Sequence, residues 1–418
     1  MNSRIKIYKD PAIIKEHTTA VERFVSYVQL ETTSDPKSSV SPSTPGQRVF
    51  ADKLVNELKK LDLHDANVDS NGYVTATLKG VKPLTVGLIA HMDTSNAFNA
   101  KSLIPVIHKN YDGSDIVLKN GVTISPDNDE HLKKCIKHTI ITADGTTLLG
   151  ADDKAGIAII MGLLEYIKKF NLDSLPTIKI GFTPDEEIGR GALKFPYDDF
   201  NADVAFTLDG TVAGELNFET FEAYSICVDI TGVSIHPGQA KGKLVNALRY
   251  GAELINRLPM HERPENTEKR EGFLHPVAIN GDSTKCTVEL IARDFDAQKV
   301  KDLCQIVENT ALDLKKEEPR LTIDTKVEFS YPNMYKYIQK RSGLVEILKK
   351  SVEQAGIKPV VLPVRGGTDG SGLSMNGLVT PNIFTGAINI HGPKEWISVE
   401  NMGYSLCTVL NLITQIEK

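Results

Sequence analysis

Three short apolar runs, each ending in side chains that bind protons or metals, constrain this chain more than any other feature. Val86-Gly87-Leu88-Ile89-Ala90 delivers His91-Met92-Asp93 at its end. Thr177-Ile178-Lys179-Ile180-Gly181-Phe182 empties into Thr183-Pro184-Asp185-Glu186-Glu187, and Val204-Ala205-Phe206-Thr207-Leu208 into Asp209-Gly210. Apolar, β-branched runs of this length predict strands buried in a parallel sheet. Ligands of open α/β sheets bind at the carboxyl ends of the strands, where these polar groups arrive. A fourth acidic pair, Asp152-Asp153, opens the apolar helical run Ile157, Ile159, Ile160, Leu163, Leu164 and Ile167. A single Asp there would cap free backbone N–H groups. With two, one caps while the other faces the cleft as an oxygen ligand. His391 follows a strand read over residues 379–385.

The rest of the chain alternates helix and strand. Apolar spacing predicts a helix within residues 11–30, a polar loop over 32–45, and an amphipathic helix carrying Val49, Phe50, Leu54, Val55 and Leu58. Residues 98–137, with Asn110, Asp112-Gly113, Asn120-Gly121 and Pro126, read as a surface excursion too polar for core and without chemistry. From about residue 214 the texture changes to strand 221–232, helix 246–258, strands 272–280 and 285–293, helix 296–316 and strand 321–330. That β-α-β-β-α-β order is the ferredoxin-like split βαβ arrangement, complete in itself and therefore an inserted domain. Beyond it come helix 344–354, the Arg365-Gly366-Gly367-Thr368-Asp369-Gly370 loop, and a closing helix that Ser398 can cap. The expected fold is α/β, a mixed and mostly parallel sheet with flanking helices. Its parts are 1–213 and 331–418, with the second domain over 214–330.

Composition narrows what such a fold can serve. The 418 residues, 41% hydrophobic, suffice for two or three domains, and a net charge of −6 with interspersed signs leaves no basic stripe for nucleic acid or membrane. The five cysteines are scattered, odd in number and without CxxC spacing, which argues against a disulfide framework or a thiolate zinc site. A reducing cytoplasm fits, and the first residues carry no apolar export signal. His17, His64, His108, His131, His138, His261 and His275 lie in polar or periodic contexts and carry no role; Trp396 reads as an anchor for the last helix.

The collected groups, two His and several carboxylates without Cys, suit zinc, manganese or cobalt, and their number suits two ions sharing one carboxylate. Two ions acidify a water and polarise a carbonyl, and an unligated carboxylate beside them moves the proton to a leaving amine. The reading is metal-assisted hydrolysis.

The set His91-x-Asp93, Gly150-Ala-Asp152-Asp-Lys154-Ala-Gly156, Glu186-Glu187, Asp209 and His391 also resembles the two-zinc exopeptidases that include aminoacylase and succinyl-diaminopimelate desuccinylase. Within them AHMDTS, ITADGTTLLGADDKAG, FTPDEEIG, FTLDG, SIHPGQAKGKLVNA, RGGTDGS and NIHGP resemble the tripeptide aminopeptidases over nearly the whole chain. The resemblance implies two Zn2+ per subunit, with Co2+ or Mn2+ as substitutes. It implies that Asp152 bridges them, His91 and Asp209 complete one site, and Glu187 and His391 the other. Glu186 would be the general base and Asp93 would orient His91. An Asp at 209, where many relatives of other specificities have Glu, is similar to the aminopeptidase members. The inserted domain would be a lid through which a homodimer forms, with His236, Asn246, Arg293 and Arg365 toward the tripeptide substrate. As bare residues, His236 is a loop His before a Pro turn, Asn246 a helix cap, Arg293 a surface ion-pair partner and the Arg365 loop a glycine-rich turn. Cleavage of another amide, as a carboxypeptidase, dipeptidase or N-acyl-amino-acid hydrolase, is the second reading. A catalytically dead binding protein would lack a ligand or the base, and here all are present.

Overall fold

The strand Lys82–His91 lies inside an eight-stranded sheet whose order is Asn67–Val68, Val74–Leu78, Pro176–Thr183, Lys82–His91, Val204–Gly210, Asn382–Phe384, Glu215–Asn217, Val360–Val361. Lys82–His91 runs parallel to Pro176–Thr183 and Val204–Gly210, and the latter parallel to Asn382–Phe384. Val74–Leu78 and Glu215–Asn217 join antiparallel, so the sheet is mixed around a parallel centre. This is the computed structural model of the chain, in which residues 6–417 are described; the first five residues of the stretch read for an export signal lie outside them. By internal contacts the chain divides into one unit of 1–218, 336–362 and 368–418, and a second of 219–335 with 363–367.

Helix Ala151–Phe170 is apolar around nearly its whole circumference because it is covered on both sides. It packs on the sheet strands Lys82–His91 and Val204–Gly210, and on helices Ala20–Val28 and Val399–Gln415. The single helix expected within 11–30 is two, Ile13–His17 and Ala20–Val28. Thr18 breaks them apart: its hydroxyl donates to the Ile14 carbonyl and accepts the Ala20 N–H, local bonds that compete with helix continuation.

The excursion differs from its sequence reading. It buries a satellite core of Tyr111, Ile116, Leu118, Ile124, Leu132 and Cys135 under Ile140, Ile388 and Trp396. Its apolar residues are too irregularly spaced to read as strand or helix, and two of their partners, Ile388 and Trp396, arrive from far along the chain. Trp396 stands just before the Ser398-capped helix Val399–Gln415, as an anchor would, and also seals this core. Its indole N–H donates to Asp129 Oδ2 at 2.9 Å.

The second unit holds an antiparallel sheet in the order Phe273–Gly281, Lys285–Asp294, Glu222–Thr231, Thr322–Tyr331. Helices Ala247–Arg257 and Ala297–Glu317 bury their apolar stripes against it, with Val228, Leu254, Val288, Leu290, Val307 and Leu314 at the centre. The β-α-β-β-α-β order is the expected one. Among the described residues no helix is long and apolar enough to cross a membrane.

Candidate metal centre

Parallel pairing sets where the polar groups emerge. His91 is opposite Thr183, and Ile89 opposite Thr207, so His91-Met92-Asp93, Asp185-Glu186-Glu187 and Asp209 leave the sheet at one carboxyl edge. The backbone N–H of Asp209 donates to Asn382 Oδ1 at 3.0 Å, tying the third of these ends to the next strand.

The helix start is brought to the same edge by a glycine. A Cβ on Gly156 would stand 2.1 Å from the Leu208 carbonyl oxygen, an approach only glycine allows. The two acids then part ways. Asp153, fully buried, accepts the N–H of His91 at 3.1 Å and of Gly156 at 3.1 Å, so it is the cap. Asp152 lies outside helical backbone geometry, with Oδ1 2.8 Å from His91 Nε2 and Oδ2 3.1 Å from His391 Nε2. His91 Nε2 is also 3.5 Å from Asp209 Oδ1, and His391 Nε2 3.0 Å from Glu187 Oε1. Two groups result, His91–Asp152–Asp209 and Asp152–Glu187–His391, each with one ligand atom per residue and all such atoms within 4.8 Å of one another. Asp152 belongs to both.

The charges of this cluster call for a cation. Burial and the Asp152 charge push the Asp209 carboxyl up to about 7, and the same two causes raise Glu187. Burial raises Glu186 well above the carboxylate range. Against its own burial, His391 is pushed up to about 10 by Asp152 and Glu187, and Asp152 is held low by the two imidazoles. Without metal the acids are thus held together by protonated histidines, a task a divalent ion performs directly. Glu187 Oε1 is buried with no well-aligned hydrogen-bond donor, which fits a ligand oxygen. Imidazole with carboxylate suits zinc, manganese or cobalt.

Asp93 acts mainly on its neighbours' main chain. Its Oδ1 accepts the Glu186 N–H at 2.9 Å and its Oδ2 the Glu187 N–H at 3.1 Å. Toward His91 the nearer partner is its backbone carbonyl, 3.1 Å from Nδ1, with the carboxylate at 3.4 Å. The loop is pinned on its other side by Asp185, in left-handed backbone (φ 59°), whose carboxylate accepts the Ser43 N–H at 2.8 Å and Gln47 Nε2 at 2.7 Å. Among the described residues no side chain hydrogen-bonds or pairs with the Glu186 carboxylate.

Residues 139–415 match Peptidase family M20/M25/M40. The chain belongs to this family. Peptidase T of Bacillus subtilis (strain 168) is 44% identical over 404 residues, covering 95% of this chain and 98% of that protein. With relatives this similar over this much of its length, the chain is a metallo-aminopeptidase of the M20/M25/M40 family. Two crystal structures share its fold: the aminopeptidase PepT from Bacillus cereus ATCC 10987 (TM-score 0.72) and a tripeptidase from Staphylococcus aureus (TM-score 0.73). Each is 22% identical, and covers 94% of this chain and 97% of its own.

In this family member the four residues expected toward substrate all lie in the second unit. His236 is exposed, and its Nδ1 accepts the Gly238 N–H at 3.1 Å. Asn246 caps helix Ala247–Arg257 through Oδ1, and among the described residues its amide N–H2 has no partner. Among the described residues Arg293 has no ion-pair partner; it donates to the Tyr224 and Ala292 carbonyls at 2.8 and 2.9 Å and lies over the Tyr331 ring. Arg365 donates to the Glu271 carbonyl at 2.6 Å and Thr267 Oγ1 at 2.9 Å, and its guanidinium lies 5.3 and 5.8 Å from the Phe221 and Phe273 ring centroids.

Two buried acids escaped the sequence reading. Asp369 accepts the Thr183 hydroxyl at 2.6 Å, and burial pushes it up to about 6. Glu395 binds backbone amides at the helix start. Asp369 sat inside a quoted motif without a role, and Glu395 carried no local signal beyond lying four residues after His391.

Proposed function

We propose that this chain is a two-zinc aminopeptidase that releases the N-terminal residue of tripeptides. The observation that carries the reading is the sharing of Asp152 between two ligand groups. Asp152 would bridge, with His91 and Asp209 holding one ion and Glu187 and His391 the other. The pair of ions, when bound, supplies an acidified water and a polarised carbonyl. Glu186, held at its main chain by Asp93 and with no described side chain paired to its carboxylate, takes the water proton and passes it to the departing amine. Asp93 also orients His91.

Tripeptide specificity is supported by the kinship with peptidase T. The 219–335 unit would serve as the lid and the surface of a homodimer. There His236 would donate to the developing oxyanion, Arg293 would grip the substrate carboxylate and Asn246 would donate from its free amide. The Arg365 loop would set a cation and backbone N–H groups against the peptide ends. Five unpaired cysteines support a reducing, cytoplasmic setting.

The test is metal content with turnover of a peptide panel, for the wild type and Glu186→Gln. Two ions per chain, free N-terminal amino acid from tripeptides, and no cleavage of dipeptides or acylated peptides are expected. Glu186→Gln should keep its metal and lose about 10²–10⁴-fold in rate. If the variant kept most of its turnover, another group would be the base.

A further inference from the structure

We infer that Glu395 is a positioning residue: it locks the His391 loop to the start of helix Ala151–Phe170 and so sets the separation of His391 from Asp152. The inference rests on the two-metal reading above.

Glu395 is 1% exposed, and its carboxylate is filled by backbone donors alone. Oε2 accepts the N–H of Leu149 at 2.7 Å and of Gly150 at 2.8 Å. Oε1 accepts that of Ala151 at 2.7 Å and of Asp152 itself at 3.2 Å. Successive main-chain N–H groups that converge on one point, here ahead of the Asp153 cap, make a concavity that attracts an anion. Here the anion arrives from 243 to 246 positions further along the chain, on the loop that carries His391.

That loop needs fixing. His391 adopts left-handed backbone at φ 65° and Asn389 at φ 54°, conformations that non-glycine residues hold only when their surroundings impose them. The turn after His391 closes through the Glu395 N–H on the Gly392 carbonyl at 3.2 Å. At the loop's ends, Asn389 Nδ2 and Trp396 Nε1 both donate to Asp129 Oδ2 at 2.9 Å. Asp129 attaches the loop to the excursion, whereas Glu395 attaches it to the segment bearing Asp152. One side chain thereby touches the amide of one ligand and shares a tight turn with another. A glutamine at 395 would present one acceptor oxygen and turn N–H2 toward the remaining amides, so about half of the grip would be lost.

Cobalt titration of the metal-free enzyme tests this, read by the visible Co2+ spectrum alongside circular dichroism and tripeptide kinetics. The wild type should take up two Co2+. Glu395→Gln should stay folded, bind at least one Co2+ about 10–100-fold more weakly, show an altered spectrum, and lose kcat with KM little changed. Glu395→Asp, which keeps the charge, should fall between, and it carries the test if the Gln variant does not fold. Wild-type Co2+ affinity and spectrum in Glu395→Gln would overturn the inference. So would unfolding of both variants, which would make Glu395 a residue of the fold. Failure of the wild type to bind two Co2+ would instead sink the two-metal reading.

Discussion

The Asp153 carboxylate accepts the backbone N–H of His91 at 3.1 Å, so the acid next to Asp152 joins helix start to strand end and belongs to neither ligand group. Asp152→Asn should therefore keep the fold and lose metal, whereas Asp153→Asn should lose about 1–3 kcal/mol of stability, because an amide turns a donor toward buried N–H groups. Metal analysis with denaturant titration separates the two. The reverse pattern would give the ligand role to Asp153.

Asp93 should matter through the main chain of Glu186 and Glu187. Asp93→Asn leaves one of their N–H groups facing another donor. The expected result is a fall in kcat of about 10–100-fold together with weaker metal retention on dialysis. Unchanged kinetics would show that the loop is held by Asp185 alone.

Gly156→Ala should be costly for a reason of distance. The added methyl would meet the Leu208 carbonyl oxygen at 2.1 Å and Asp153 Oδ1 at 2.5 Å, and the first of these is backbone. Overpacking of this kind costs about 1–3 kcal/mol, and the helix start would move off Asp209. Gly366→Ala, with nothing within 4 Å of the added methyl, should stay within about 0.5 kcal/mol. Thermal melts of the two variants make the comparison.

Metal removal should lower Tm. The acids raised by burial and by one another are held together by protonated histidines when no cation is bound. Adding Zn2+ to the chelated enzyme at a hundred times its Kd should restore about 2.7 kcal/mol. A melting curve indifferent to chelator and to Zn2+ would count against a bound cation.

Much of the fold could be read in advance because burial leaves a strong mark on composition. The Val86–Ala90 and Val204–Leu208 runs are apolar on both faces since both faces are covered. The excursion differs from its sequence reading because Tyr111, Leu118 and Leu132 share one buried cluster with Ile388 and Trp396, residues far along the chain that leave no local period. Glu395 escaped for the same reason: its four bonds all cross the fold.

From the residues alone came the kinds of group available and the elements that end in them: imidazole at 91 and 391, carboxylates at 152, 186, 187 and 209. Periodicity is local, so it names strands and helices and the side chains at their tips. Only the tertiary structure decided which of two adjacent aspartates faces the cluster, that Asp93 grips a loop's amides, and that Glu395 reaches across to Asp152. Those choices depend on where distant backbone N–H groups point, and that direction exists only once the chain has folded.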